Sequence, residues 1–215
     1  MSETNADDID AADDTAEQAD SGTANEAIME ATYRALRTHG AADLSVQAIA
    51  DEFDKSKSLI FYHYDSREDL LSSFLAYLLE NFKNRVAASE ITDPVTQLDG
   101  LIDSLLYGPD DNESFQIAML ELRSQAPFNE AYRDQFRRNR AYVHRLTARV
   151  IDCGIDDSVF APVDPDYIAT LLLTMIDGAR LQLVVLGDET ILDTTRAAID
   201  DRLDETLFAD QRPSD

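Results

Sequence analysis

The chain of 215 residues has one cysteine, no tryptophan and only three lysines. A single cysteine excludes a disulfide within the chain, and a reducing cytoplasm fits this usage. We interpret Cys153 as a small buried core residue, with a redox switch as the alternative. The three histidines have no partners at metal-ligand spacing, so we expect no metal site and no other cofactor.

Long apolar runs are also missing. No window reaches 18 uninterrupted apolar residues, and the richest stretch, 168–186, is broken by Asp177 and Arg180. The N-terminus is acidic, whereas a secretory signal would be basic. We therefore expect a soluble, cytoplasmic protein that does not insert into a membrane.

Basic residues are scarce beside acidic ones, with 18 Lys and Arg against 43 Asp and Glu, for a net charge of −25. Most of such a surface repels a polyanion. Adaptation to a salt-saturated cytoplasm explains the acidity, because carboxylates keep a surface hydrated. Two of the three lysines, Lys55 and Lys57, lie in the stretch 55–64, which has no acid. At molar salt, where charges are screened over roughly 3 Å, few lysines would suffice for contact with DNA.

The order of apolar and breaking residues predicts an all-α fold of about nine helices. Apolar residues recur at helical spacing, and most glycines and prolines fall between these stretches. We predict a disordered acidic leader over 1–24, with the first helix starting at Asn25, and a helix-turn-helix domain over 25–70. A helical effector-binding and dimerisation domain would cover 71–209, followed by a flexible tail over 210–215.

The segment 45–70 is the most informative about function. Ser45 can cap a helix whose apolar face includes Val46 and Ile49, and Ser56 can cap a second helix after a short turn. Ser66 opens a third helix with a capping-box pattern. Two short helices joined by a tight turn are typical of proteins that place a helix in the DNA major groove.

With this order of helices, SVQAIADEFDKSKSLIFYHYDSREDLL resembles the DNA-binding head of the tetracycline-repressor (TetR) family, most clearly at Tyr62-His63-Tyr64. The resemblance implies a ligand-responsive homodimeric transcription regulator, a repressor that binds a palindromic operator in double-stranded DNA and is released by a partly apolar small-molecule effector. Two residues depart from the family pattern: Asp54 stands where glycine is common in the turn, and Phe61 where tyrosine is common. Transferred position by position, the resemblance gives these DNA contacts: Ser45, Gln47, Lys55, Ser56, Lys57, Ser58, Leu59, Tyr62, His63 and Arg67.

The remainder of the chain gives broader expectations. In the resembling family the later helices surround an effector cavity, and Met and aromatic residues suit such a pocket. The helix near 167–186 is apolar on nearly every side, which predicts burial against both its own domain and a partner subunit. Effector-pocket candidates are Phe115, Gln116, Met119, Leu122, Arg123, Tyr132, Leu172 and Met175. Dimer-interface candidates are Leu173, Ile176, Arg180, Leu183, Val184, Leu192, Thr195 and Ile199.

Two other functions stay open from the residues alone. A helical ligand-binding or scaffold dimer with a head that no longer binds DNA would explain Asp54, Phe61 and the charge of −25. An enzyme is disfavoured, because the sequence has no nucleophile–base pair and no phosphate-binding loop.

Overall fold

A computed structural model describes residues 10–53, 57–108 and 113–208, with side chains from Ala24 onward except that of Glu113. Within these residues the chain is all-helical, as predicted. The helices are α1 (Asp10–His39), α2 (Val46–Asp51), α3 (Lys57–His63), α4 (Arg67–Ala87), α5 (Pro94–Leu106), α6 (Glu113–Gln125), α7 (Glu130–Asp156), α8 (Pro165–Leu186) and α9 (Ile191–Thr206).

The helix caps predicted at Ser45 and Ser66 are formed, whereas the one predicted at Ser56 lies outside the described residues. The Ser45 hydroxyl accepts a hydrogen bond from the Ala48 N–H at 3.0 Å, and that of Ser66 accepts from the Asp69 N–H at 3.0 Å. Each cap satisfies a backbone donor that has no partner inside the helix. The same chemistry starts α5 at Asp93 and α7 at Asn129.

Helix α1 begins at Asp10 and not at Asn25. Of the residues 10–24, five are alanine and none is proline, and alanine has the highest intrinsic helix propensity. The leader predicted over 1–24 therefore overlaps a helix from Asp10, while residues 1–9 and the predicted tail 210–215 lie outside the described residues.

Two buried apolar clusters form the core. The first joins α1, α2 and α3 to the start of α4, and it continues into Phe115 and Leu122 of α6 and Tyr132 of α7. The second joins α5, the end of α7, α8 and α9. This division by packing differs from the predicted boundary at 70–71, because α4 and α6 contribute side chains to the core of the head.

Cys153 is exposed, which corrects its interpretation as a core residue. Its neighbour Gly154 is the buried position at this point of α7, and Phe160 packs directly over it. Cys153, about 100° away around the helix, faces solvent.

Helix α8 is long and apolar enough to cross a membrane by length and composition. A core helix of a soluble protein passes the same test, so this single helix is weak support for insertion. Ile168, Leu172 and Ile176 of α8 are buried in the second cluster, which gives its apolar composition a role within the fold.

Candidate DNA-binding site and its connection to the ligand domain

Helix α3 has one buried side and one exposed side. Ile60 and Tyr64 are 1% and 7% exposed and pack into the head core. The opposite side presents Lys57, Ser58 and Tyr62 to solvent, and Tyr62 is 82% exposed. Large aromatic side chains are seldom left so exposed, so this edge is suited to contact with another molecule.

Tyr64 fixes the orientation of α3. Its hydroxyl donates a hydrogen bond of 2.8 Å to Oδ1 of Asn25 in α1. Burial, with a smaller contribution from the charge of Asp69, raises the pKa of Tyr64 to about 12. Tyr64 is therefore a neutral core group at physiological pH.

The side chains of α3 near this edge differ in how firmly they are packed. The Lys57 ammonium lies 5.6 Å from the centre of the exposed Phe61 ring, a distance at which a cation and an aromatic face attract. His63 is half-buried between Tyr62 and Tyr64, with an edge-on contact to Tyr62. Leu59 is also half-buried and packs against the head core.

Gln47 is exposed on α2, but its side-chain amide donates a 2.7 Å hydrogen bond to Asp51 one turn later. Reading a base with this amide would require breaking that bond. Lys55 and Ser56, predicted as contacts, and Asp54 of the turn lie outside the described residues.

The structure corrects the prediction for Arg67. Its Nε donates to the Leu44 carbonyl at 2.7 Å, and a second guanidinium nitrogen donates to the Ala41 carbonyl. A third nitrogen faces Glu68 at 3.7 Å. Because α4 starts beside the loop between α1 and α2, the side chain turns inward and holds this loop instead of reaching outward for a phosphate.

Sequence reasoning missed a second contact to the same loop. The Glu121 carboxylate on α6 accepts hydrogen bonds from the N–H groups of Ala41 at 2.5 Å and Ala42 at 3.0 Å. These residues are about 80 positions apart in the chain, so no local pattern indicates the contact. We call this contact the Glu121 clasp.

Ion pairs and hydrogen bonds connect α6 to α8, and α8 to α5 and α7. Asp177 of α8 accepts from Arg123 of α6 at 3.2 Å and from Arg140 of α7 at 2.6 Å. Arg180, one turn further along α8, donates to Oε1 of Gln116 at 2.5 Å and to the Leu105 carbonyl at 3.1 Å. Burial, and next the nearby charge of Arg123, lowers the pKa of Arg180.

The predicted effector-pocket residues are divided between the two apolar clusters. Phe115, Leu122 and Tyr132 are buried in the first cluster with the head, with Met119 packed against it. Leu172 and Met175 belong to the second cluster. The apolar side chains of α6 pack with the head, whereas its polar residues Gln116 and Arg123 bond to Arg180 and Asp177 of α8.

Another concave surface runs along α7. This open groove has a volume of about 590 Å³, and none of the predicted pocket residues lines it. It is lined by Arg133, Arg137, Arg140 and His144, together with Phe136 and two alanines. Among the described residues, no group of His, Cys, Asp and Glu is placed to hold a metal ion.

The predicted dimer residues separate by burial. Leu173, Ile176 and Ile199 are 4%, 3% and 0% exposed within their own chain, and Arg180 is bonded to α5 and α6. These four are corrected to internal residues. Leu183, Val184, Leu192 and Thr195 are half-buried.

Near its C-terminal end, α8 exposes Leu181, Val185 and Leu186, at 49%, 61% and 68%. The sequence could not distinguish them from the buried positions, because this helix is apolar on nearly every side.

Comparison with known proteins covers both parts of the chain. Residues 28–74 match the model of bacterial regulatory proteins of the tetR family, and residues 94–207 match the C-terminal domain of BetI-type transcriptional repressors. No functionally curated protein matches the sequence.

Among solved structures, a TetR transcription regulator from Haloarcula marismortui is 47% identical, with a TM-score of 0.81 over 86% of this chain and 99% of that one. A transcriptional regulator from Saccharomonospora viridis in complex with choline is 24% identical, with a TM-score of 0.74 over 86% and 98% of the two chains. FadR from Bacillus subtilis in complex with stearoyl-CoA is 18% identical, with a TM-score of 0.67 over 83% and 97%. The last two likenesses bear on the fold alone.

Proposed function

The chain belongs to the TetR family of transcription regulators, and on that premise we propose a cytoplasmic homodimeric repressor that binds a palindromic operator and is released by a small-molecule effector. The halophilic source of the Haloarcula relative agrees with high-salt adaptation as the cause of the acidity. Members of this family are regulators and generally not enzymes.

The exposed edge of α3 is the observation that carries the proposal. Lys57, Ser58 and Tyr62 face solvent on a helix whose other side is buried, and no residue from 57 to 64 is acidic. A helix presented in this way can enter the major groove. Lys57 and Ser58 lie at its N-terminal end, where base contacts concentrate in helix-turn-helix proteins.

Few positive charges serve this edge, so we propose that shape and direct hydrogen bonds supply most of the affinity. Counterion release drives DNA binding through cations that neutralise phosphates, and it weakens as salt rises. A protein with few lysines at the interface gains little affinity from counterion release, so it loses little affinity when the salt concentration rises. Its affinity should therefore depend weakly on salt between moderate and high concentrations.

We propose that two copies associate through the exposed end of α8 and the adjoining surface of α9. The apolar patch of Leu181, Val185 and Leu186 is costly to leave in water. In a two-fold dimer the same patch on each copy would cover the other. The two copies of α3 would then contact two half-sites of one operator.

For the effector, we propose a site where α6 meets α8, beside Gln116, Arg123 and Met175. These residues lie on the side of α6 that faces α8 or on α8 itself. Choline is the first compound to test, because the chain matches the BetI-type C-terminal domain and the Saccharomonospora regulator holds choline. The arginines nearby favour an anion by charge, so a carboxylate analogue of choline belongs in the same screen.

A selection experiment tests the proposal. Full-length protein in molar KCl is incubated with a random duplex library, and bound DNA is sequenced after several rounds. We expect enrichment of a palindromic sequence that also occurs in the promoter region of the protein's own gene or of its neighbours. A library that stays random, from protein that is folded and dimeric, would favour the scaffold alternative.

A further inference from the structure

The Glu121 clasp is a polar contact between α6 and the DNA-binding head, and it adds to the apolar core that they share. A single carboxylate oxygen, Oε2, accepts from both Ala41 and Ala42. Hydrogen bonds to an ionised acceptor are about twice as strong as neutral ones. The clasp is therefore a strong contact between α6 and the loop of residues 40–45.

The backbone of this loop is shaped to receive an anion. Gly40 has φ +71, a left-handed conformation that glycine adopts without strain. Consecutive N–H groups next to a left-handed residue converge in a concavity that binds anions. A Cβ on Gly40 would lie 3.3 Å from Oε2 of Glu121, so the carboxylate fits closely against a position without a side chain.

Arg67 holds the same loop from the other side, through the carbonyls of Ala41 and Leu44. The next residue, Ser45, caps α2, and α2 packs against α3. Besides the Tyr64–Asn25 bond, α3 is therefore supported through a loop that is held by α4 at its carbonyls and by α6 at its N–H groups.

Helix α6 is in turn connected to α8. Arg123, two residues after Glu121, pairs with Asp177, and Gln116 accepts from Arg180. A rearrangement of α8 would therefore move α6 along with the clasp. The contacts between α8, α6 and the loop are ion pairs and hydrogen bonds, each of which is either formed or broken. Contacts with two discrete states of this kind can couple a change at α8 to the position of the head.

We propose that Glu121 is a positioning residue for DNA recognition: its carboxylate fixes the head at one orientation on the ligand domain, so that both heads of the dimer match one operator spacing. The proposal rests on the function proposed above. A head without the clasp samples more orientations, and ordering them on binding costs affinity. An effector that shifts α6 would release the operator by opening the clasp.

The test compares wild type with Glu121→Ala and Glu121→Gln on the palindrome that wild type selects. Each protein is titrated in molar KCl with that duplex and with versions in which the spacer between half-sites is one base pair longer or shorter. Asp43→Asn is the matched control, because Asp43 is an exposed acid of the same loop and its change removes one negative charge without touching the clasp. Circular dichroism and sedimentation confirm that every variant is folded and dimeric.

We expect Glu121→Ala to bind the selected spacing about tenfold more weakly, the order of effect expected for losing charged hydrogen bonds, and to discriminate less between spacings. Glu121→Gln should fall between wild type and Glu121→Ala, and Asp43→Asn should keep the spacing preference of wild type. Equal spacing preference in all four proteins would overturn the role of Glu121 and leave the proposed function standing. If wild type selects no palindrome, the proposed function itself fails, and the inference fails with it. If Glu121→Ala does not fold, the spacing preference of Glu121→Gln decides.

Discussion

The Tyr64 hydroxyl donates to Asn25 Oδ1 over 2.8 Å, which ties the end of the recognition helix α3 to α1. Tyr64 is 7% exposed, whereas its neighbour Tyr62 is 82% exposed. Two tyrosines two positions apart therefore have opposite roles, one in holding α3 and the other in presenting a surface.

Stability should fall at high pH because of Tyr64. Its pKa is raised to about 12 in the folded protein from the ordinary value of 10.0. Below pH 10 the side chain is protonated in both states, and its contribution is fully present. As the pH rises from 10 toward 12, only the unfolded state loses the proton, so unfolding becomes more favourable.

Denaturant titrations at pH 8 and at pH 11 measure this effect. Tyr64→Phe should lose about 1 kcal/mol at pH 8 with the hydrogen bond, and it should show a smaller loss between the two pH values than wild type. An identical pH dependence in both proteins would contradict the assignment to Tyr64.

Tyr132→Phe should leave the protein equally stable or more stable, by up to about 1 kcal/mol. The Tyr132 side chain is 0% exposed, and its hydroxyl has no hydrogen-bond partner in the structure. An unsatisfied buried hydroxyl costs free energy, and phenylalanine of the same shape removes that cost. Thermal unfolding followed by circular dichroism tests this, and a marked drop in Tm would show that the hydroxyl has a partner.

Gly154 and Gly100 should respond to alanine in opposite directions. A Cβ at Gly154 would lie 2.1 Å from the Phe160 ring, while at Gly100 it would meet nothing within 4 Å. We expect Gly154→Ala to lose roughly 1–3 kcal/mol through overpacking. Gly100→Ala, in the middle of α5, should gain about 0.5–1 kcal/mol. Chemical denaturation of both variants checks the pair, and equal effects would refute the close packing of Phe160 on α7.

Val185→Glu should convert the dimer to a monomer. The substitution places a charge in the exposed apolar patch of α8, where a partner subunit would have to bury it at high cost. Sedimentation equilibrium in molar KCl gives the mass directly. Ile91→Glu is the control, because it places the same charge at an exposed apolar residue before α5. Val95→Glu would not serve, because Val95 packs against the core. Two variants of equal mass would contradict an interface at α8.

The sequence was sufficient for the head because its signals are local. Ser45 and Ser66 stand three residues before the N–H groups that they cap, and Ile49 and Ile60 fall at buried helical positions. Pro94 at the start of α5, and Pro165 and Gly187 at the two ends of α8, are local signals of the same kind. Such features act over one turn of helix, within the reach of pattern reasoning.

Contacts between distant parts of the chain could not be predicted in that way. The sequence does not distinguish Glu121 from the other acidic residues of a chain that has 43 of them. Its contact with the loop between α1 and α2 depends on the tertiary packing of α6 on α1. Arg67 was assigned to DNA by resemblance, and the fold directs it to a loop 23 to 26 residues earlier. In α8 the composition fixed a helix, but it left the side facing a partner undetermined.

The central claim is that the exposed edge of α3 binds operator DNA, and one titration tests it most directly. Wild type, Lys57→Ala and His63→Ala are titrated with the selected palindrome at two KCl concentrations, with Lys83→Ala on α4 as the control for loss of one positive charge. We predict that the two α3 variants bind at least ~10-fold more weakly, that Lys83→Ala binds like wild type, and that the affinity of wild type changes little with salt. If all four proteins bind alike, the claim is contradicted.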